Sequence, residues 1–200
     1  MKKLFMLVVA AMFATVNVNA QSAGEMYIKP MAGGNLATLT GDVDGANMKL
    51  NLVGGAEFVY NISNQFGISA GALVSMQGAE IDDNSSMKDR KSTLTYLNVP
   101  ILANYYVASG LAIKAGVQPG FLLGRKDTYT DLRKHVDVEY TGTEGMKTLD
   151  FSIPLGLSYE FSDFIIDARY NLGLTNIFDT SSVNVKNGVF MLTVGYKIPL

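Results

Sequence analysis

Residues 149–161 read Leu-Asp-Phe-Ser-Ile-Pro-Leu-Gly-Leu-Ser-Tyr-Glu-Phe, and their odd positions form one unbroken apolar row from Leu149 to Phe161. The even positions, Asp150, Ser152, Pro154, Gly156, Ser158 and Glu160, hold no large apolar side chain. Successive side chains of a strand point to opposite faces, so this segment has one apolar face and one polar or small face. A soluble sandwich would bury the apolar row. Here the opposite faces carry too many charges and glycines to be ordinary solvent surface in every strand. The pattern predicts a sheet closed on itself, apolar toward lipid and polar toward its own axis.

The same alternation recurs in 66–77, 111–123, 164–174 and 190–200, less cleanly in 48–60 and 94–106, and most weakly in 26–36, where Gly33 and Gly34 blur the faces. Together these predict an all-β, eight-stranded, antiparallel up-and-down transmembrane barrel; most segments reach the roughly 9–11 residues that a tilted membrane strand needs. Short turns fall near Asn61–Asn64, Val107–Gly110 and Ser162–Asp163. Long polar connections fall near Thr38–Asn47, Ala79–Lys91, Arg125–Lys147 and Thr175–Asn187. Strict alternation of long and short is expected when one membrane side carries loops and the other turns, and it puts both termini on the turn side. Tyr60, Phe66, Tyr105, Tyr159, Phe161 and Phe164 crowd that rim, as rings do at a lipid–water boundary. Pro100, Pro119 and Pro154 lie inside strands, where each forfeits a ladder hydrogen bond, so bulges or opened pairing are expected there. Val136, Val138 and Tyr140 alternate within the longest connection. Arg133, Lys134, Asp137 and Glu139 make that segment too polar to face lipid, and it reads as a hairpin standing beyond the membrane.

The N-terminus sets the compartment. Lys2 and Lys3 precede an apolar run from Leu4 to Ala14, a polar stretch, and the small-residue pair Val18 and Ala20. This is the pattern of a cleavable signal peptide over 1–20, with a barrel domain over 21–200. The run is much shorter than the roughly 20 residues of a spanning helix. No cysteine occurs anywhere, which excludes a lipid-anchored N-terminal cysteine, disulfides and thiol chemistry. Removing 1–20 takes two lysines and no acid, leaving 14 basic against 18 acidic side chains, a net of −4 with no electrostatic case for nucleic acid.

Projected onto the inner face are Lys29, Lys49, Lys114, Arg169 and Lys197, with Glu57, Asp150, Glu160 and Asp167. Eight strands leave a bore only wide enough for side chains to fill it. Charges held there must pair, because an unpaired buried charge is costly. A polar lumen network of Glu57, Lys114, Asp167, Arg169 and Lys197 is therefore expected to act as an ion-paired plug, with a selective ion path as its rival. The strand glycines thin the wall or relieve crowding in the bore.

Tyr96–Tyr106 (Tyr-Leu-Asn-Val-Pro-Ile-Leu-Ala-Asn-Tyr-Tyr), Ala115–Leu123 and Asp167–Thr175 resemble the PorT-like "porin family" of small outer-membrane β-barrels. The resemblance covers nearly the whole chain after residue 20. It implies an outer-membrane location, an OmpX- or OmpA-like eight-stranded barrel, and mostly unassigned activity, PorT itself being associated with protein secretion. The last strand resembles the signal read by the barrel-assembly machinery, except that Leu200 stands where an aromatic is usual.

His135 is the only histidine. Lipid-modifying barrels use His with Ser or Asp, but a nucleophile–base pair must be held rigidly, and His135 sits between Lys134 and Val136 in a loop. Asp42–Asn47 resembles a calcium loop without its ligand register, and Asp82–Ser86 reads as a turn. No cofactor and no metal site is expected. The reading is a non-enzymatic, monomeric envelope or surface-interaction protein. Its expected partners are outer-membrane lipid, the assembly machinery during insertion, and an unidentified extracellular or periplasmic protein. A secretion accessory and a lipid-modifying enzyme are the alternatives.

Overall fold

The computed structural model describes residues 21–180 and 182–200, so the segment read as a signal peptide lies outside the described residues. The chain runs through β1 (Met26–Gly41), β2 (Ala46–Asn47), β3 (Lys49–Asn61), β4 (Phe66–Ile81), β5 (Met87–Asn98), β6 (Ile101–Ala108), β7 (Leu111–Asp131), β8 (Val136–Thr141), β9 (Leu149–Phe161), β10 (Phe164–Gly173), β11 (Val185–Tyr196) and β12 (Ile198–Pro199). Every pairing is antiparallel, and β11 returns to pair with β1 from Met31↔Gly195 to Gly41↔Val185. That last ladder closes the sheet. β5 and β6 are two parts of one stave, as are β11 and β12, while β2 and β8 sit outside the ring. Eight staves result among the described residues, as the alternation predicts.

The orientation follows the sequence pattern. In β9, Leu149, Phe151, Leu155 and Leu157 are exposed, whereas Asp150, Ser152 and Ser158 are buried. In β10, Phe164, Ile166, Tyr170 and Leu172 face out and Asp167, Arg169 and Asn171 face in. The aromatic rim is laid out by register: Phe66 faces Tyr105, and Phe164 faces both Phe161 and Tyr196, the latter edge-on with centroids 5.3 Å apart.

The prolines open the ladder without shifting it. Leu73↔Asn98 and Ala70↔Ile101 keep one register across the β5–β6 break at Val99–Pro100. The backbone there turns to other acceptors: Val99 N–H donates to Pro119 O at 2.8 Å, and Gly71 N–H to Pro100 O at 3.1 Å. Pairing between β7 and β9 lapses from Ala115↔Leu155 to Gln118↔Ser152, opposite Pro154, again in constant register. A register shift occurs elsewhere, where Thr95 pairs Gly124 but Tyr96 pairs Leu122, leaving Leu123 as the extra residue.

Three expectations need correction. The connections Thr38–Asn47 and Ala79–Lys91 are mostly strand: Leu39, Thr40 and Gly41 pair with β11, and Ala79, Glu80 and Ile81 with Ser92, Lys91 and Arg90. Their polarity marks strands that have left the lipid, where the ladder persists but the outward face meets water. The final stave begins at Val185, not Phe190, and is interrupted at Lys197. The interior is also not uniformly polar. Buried apolar groups form three internal layers: Tyr27, Val59 and Ile165 toward the turns; Met31, Val53, Leu73 and Met191 at mid-height; and Leu39, Ala79, Leu94, Tyr96, Leu122, Met146, Ile177 and Val185 toward the loops. The hairpin expectation holds. β7 continues past the ring and pairs with β8 from Lys126↔Thr141 to Asp131↔Val136, around a four-residue turn.

Candidate functional site

The lumen is built in layers because inward positions recur every second residue while neighbouring strands are staggered. Between its turn-side and mid-height apolar layers lies an ionic one. Lys29, Glu57, Lys114, Asp167 and Arg169 come from β1, β3, β7 and β10, and none is more than 5% exposed. Lys29 Nζ lies 2.7 Å from Glu57 Oε2 and 3.3 Å from Asp167 Oδ2. Lys114 Nζ donates to Asp167 Oδ2 at 2.6 Å. Arg169 reaches Glu57 Oε1 through Nη1 at 2.5 Å and grips Asp167 through Nε at 2.6 Å and Nη2 at 2.8 Å. Three cations thus surround two carboxylates. Desolvating each ion costs several kcal/mol by order of magnitude, so such a cluster persists only with this density of charge-assisted contacts.

Glycines make the room. Gly71 faces Glu57 in register, and a Cβ there would stand 2.6 Å from Glu57 Cγ. Gly156 faces Arg169 on one side and Lys114 on the other. At Gly195 a Cβ would meet Lys29 Cγ at 2.7 Å. The long stems therefore lie in slots where the adjacent strand has no side chain.

Toward the turns, a second polar layer closes the mouth. Lys197 Nζ bridges Glu25 at 2.8 Å and Glu160 at 2.9 Å and lies 4.9 Å from the centre of the Tyr27 ring. Gln21 Nε2 donates to Glu160 Oε2 at 2.8 Å, Asn61 Nδ2 to Glu25 Oε2 at 3.1 Å, and Tyr106 O–H to Asn61 Oδ1 at 3.0 Å. Toward the loops lies a layer of amides and hydroxyls: Gln118 Nε2 donates to Ser152 Oγ at 3.1 Å, Asn187 Nδ2 donates to Asp150 Oδ2 at 2.9 Å, and Thr175 O–H also reaches Asp150. A cavity of about 10 Å³ between Gln77, Asn98, Gln118 and Asn171 has room for one water.

Of the residues singled out in the sequence, Glu57, Lys114, Asp167 and Arg169 come together, whereas Lys197 belongs to the layer by the turns. Lys29 takes its place in the ionic layer; it projected inward in the sequence, but stagger between strands is not written in alternation. Lys49 sits higher, donating to Thr93 Oγ1 and to Ser92 O. His135 ends the hairpin turn with φ 54° and is exposed. Asp42–Asn47 is tied by Asp42 N–H to Asn184 O at 2.9 Å and by Asn47 Nδ2 to Asp82 Oδ1 at 2.7 Å. Sequence reading missed the cavity at the loop end, about 540 Å³, lined by parts of β1, β5, β7, β8 and the 174–184 connection. It depends on the extra residue at Leu123. Past that bulge the inward phase passes from even to odd positions, so Arg125, Asp127 and Tyr129 turn toward the cavity.

Ail, the attachment invasion locus protein of Yersinia pestis, superposes with a TM-score of 0.52 at 16% identity, over 88% of this chain and 99% of that one. Neisserial surface protein A gives a TM-score of 0.48 at 15% identity, over 86% and 97%. No curated protein sequence matches. The family described as "Outer membrane protein beta-barrel domain" matches residues 19–179, most of the chain. Closed ring, outward apolar face and matched domain agree: this chain is an integral protein of the outer membrane and belongs to the outer membrane protein beta-barrel domain family.

Proposed function

We propose that this chain is a non-enzymatic envelope barrel, closed to solute passage, that works through its loop end. The observation carrying this reading is the ionic layer: Arg169, Asp167, Glu57 and Lys29 are at most 1% exposed and fill the bore between the turn-side and mid-height apolar layers. Above and below it, apolar layers add barriers that a hydrated ion would have to cross. The part built for contact is instead the strand extension of β5, β7 and β8 above the ring. His135 at the hairpin tip supports the non-enzymatic reading, since a general base needs a partner held at hydrogen-bond distance. The protein acts as a single chain in outer-membrane lipid, inserted by the assembly machinery, and meets an extracellular or periplasmic protein through its loops or turns. The PorT-like segments within 96–106, 115–123 and 167–175 favour a secretion accessory as second reading; an altered set of secreted proteins after gene deletion would support it.

Planar-bilayer recording with the purified, refolded chain tests the closed lumen. No stepwise conductance is expected, and steady single-channel steps abolished by Asp167→Asn would overturn it. Mass spectrometry of lipid A from cells carrying the wild type or His135→Ala tests the absence of lipid chemistry, and a difference between the two spectra would overturn that part.

A further inference from the structure

The cavity at the loop end has a chemistry of its own. Its volume of about 540 Å³ falls within the range of small-molecule sites. Leu39, Val43, Ile81, Phe178 and Val185 give it an apolar floor. Leu39 and Val185 also belong to the buried layer with Tyr96 and Leu122, so the cavity ends blind and leads nowhere down the axis. The walls carry charges, but most are already paired. Arg125 binds Asp127 and lies 5.7 Å over the Tyr140 ring. Lys126 holds Glu139 at 2.8 Å, and Lys91 lies 3.7 Å from Glu80. Arg90 differs. Its Nη1 donates only to Asp82 O at 3.4 Å, and among the described residues no carboxylate comes within ion-pair distance. One cation with free N–H groups therefore stands between this blind, apolar-floored cavity and a second concavity lined by Glu80, Asp82, Asp83 and Asp89.

We infer that this cavity binds an amphipathic anion, its apolar body on the Leu39–Val43–Ile81–Phe178–Val185 floor and its charged head on the Arg90 guanidinium. A guanidinium offers forked donors to a carboxylate, sulfate or phosphate, while the floor rewards a tail that leaves water. Inorganic anions gain nothing from the floor, and the head of an amphipathic cation on that floor would face the Arg90 guanidinium, Asp127 and Glu139 being already paired.

The chain contains no tryptophan, so Phe178→Trp supplies a background-free reporter inside the cavity. The full-length variant in phosphatidylcholine vesicles is titrated with octyl sulfate, octyltrimethylammonium and inorganic sulfate. A saturable emission shift is expected with octyl sulfate alone, weakened about tenfold or more by Arg90→Gln and largely restored by Arg90→Lys. A response that never saturates, equal saturation by the cationic amphiphile, or indifference to Arg90→Gln would overturn the site. Should Phe178→Trp fail to insert, Tyr129→Trp reports from the same cavity.

Discussion

Gly156 and Arg169 face each other across β9 and β10, and the arginine lies where a side chain at 156 would be. A Cβ on residue 156 would stand 2.8 Å from Arg169 Cγ and 2.5 Å from Ala168 O. Backbone on one side and a doubly ion-paired guanidinium on the other leave nothing free to give. Gly156→Ala is expected to destabilise the barrel by about 1–3 kcal/mol, the usual cost of overpacking, read from urea unfolding in vesicles. Gly124→Ala, with nothing within 4 Å of its Cβ, is the matched control and should change stability little.

The ionic layer has one cation more than it has carboxylates, which orders the effects of its variants. Asp167 contacts Lys29, Lys114 and Arg169, so Asp167→Asn strands charge on three sides and should cost about 3–5 kcal/mol. Lys114 pairs only with Asp167 in this layer, and Lys114→Met leaves two cations against two carboxylates. It should be the milder change. Equal losses in the two unfolding midpoints would contradict the charge balance drawn here.

Sidedness can be read directly, because a chain without cysteine accepts single labels cleanly. Leu155 is 50% exposed and Ser158 6%. A spin label at Leu155→Cys should relax with lipid-soluble oxygen and ignore an aqueous nickel chelate. One at Ser158→Cys should be immobilised and shielded from both. The reverse pattern would turn the barrel inside out.

The hairpin turn closes on His135 at φ 54°, a left-handed conformation that costs a residue with a Cβ roughly 1 kcal/mol. His135→Gly should therefore stabilise the β7–β8 hairpin by about that amount and His135→Val weaken it. Amide exchange at Thr128 and Val138 measures both.

Beside the same hairpin, Tyr140 O–H donates to Glu144 Oε2 at 2.7 Å, and this bond holds the Glu144 carboxyl below its ordinary value of 4.5. A folded value below the unfolded one means the stabilisation is complete above the ordinary range and fades as pH falls through the lower folded value. The Gly142 amide signal should be constant at neutral and mildly alkaline pH and shift as acidification protonates the lowered Glu144 carboxyl. Glu144→Gln should abolish that shift.

The two-residue period of Leu149–Phe161 and its repeats was enough to determine the barrel, its outward apolar face and the inward set of charges. Alternation is imposed by backbone stereochemistry and survives whatever the strand packs against. Loop bounds were read too wide around residues 38–47 and 79–91 because polarity reports contact with water, not the end of a ladder. What the tertiary structure alone decided is height: which inward residues meet. Stagger between strands brings Lys29 to Asp167 across 138 positions and carries Lys197 away to Glu25. It also decided phase above the ring, since one extra residue at Leu123 aims Arg125 inward and opens the loop-end cavity. Both depend on hydrogen-bond register between distant segments, a quantity that no single strand's sequence contains.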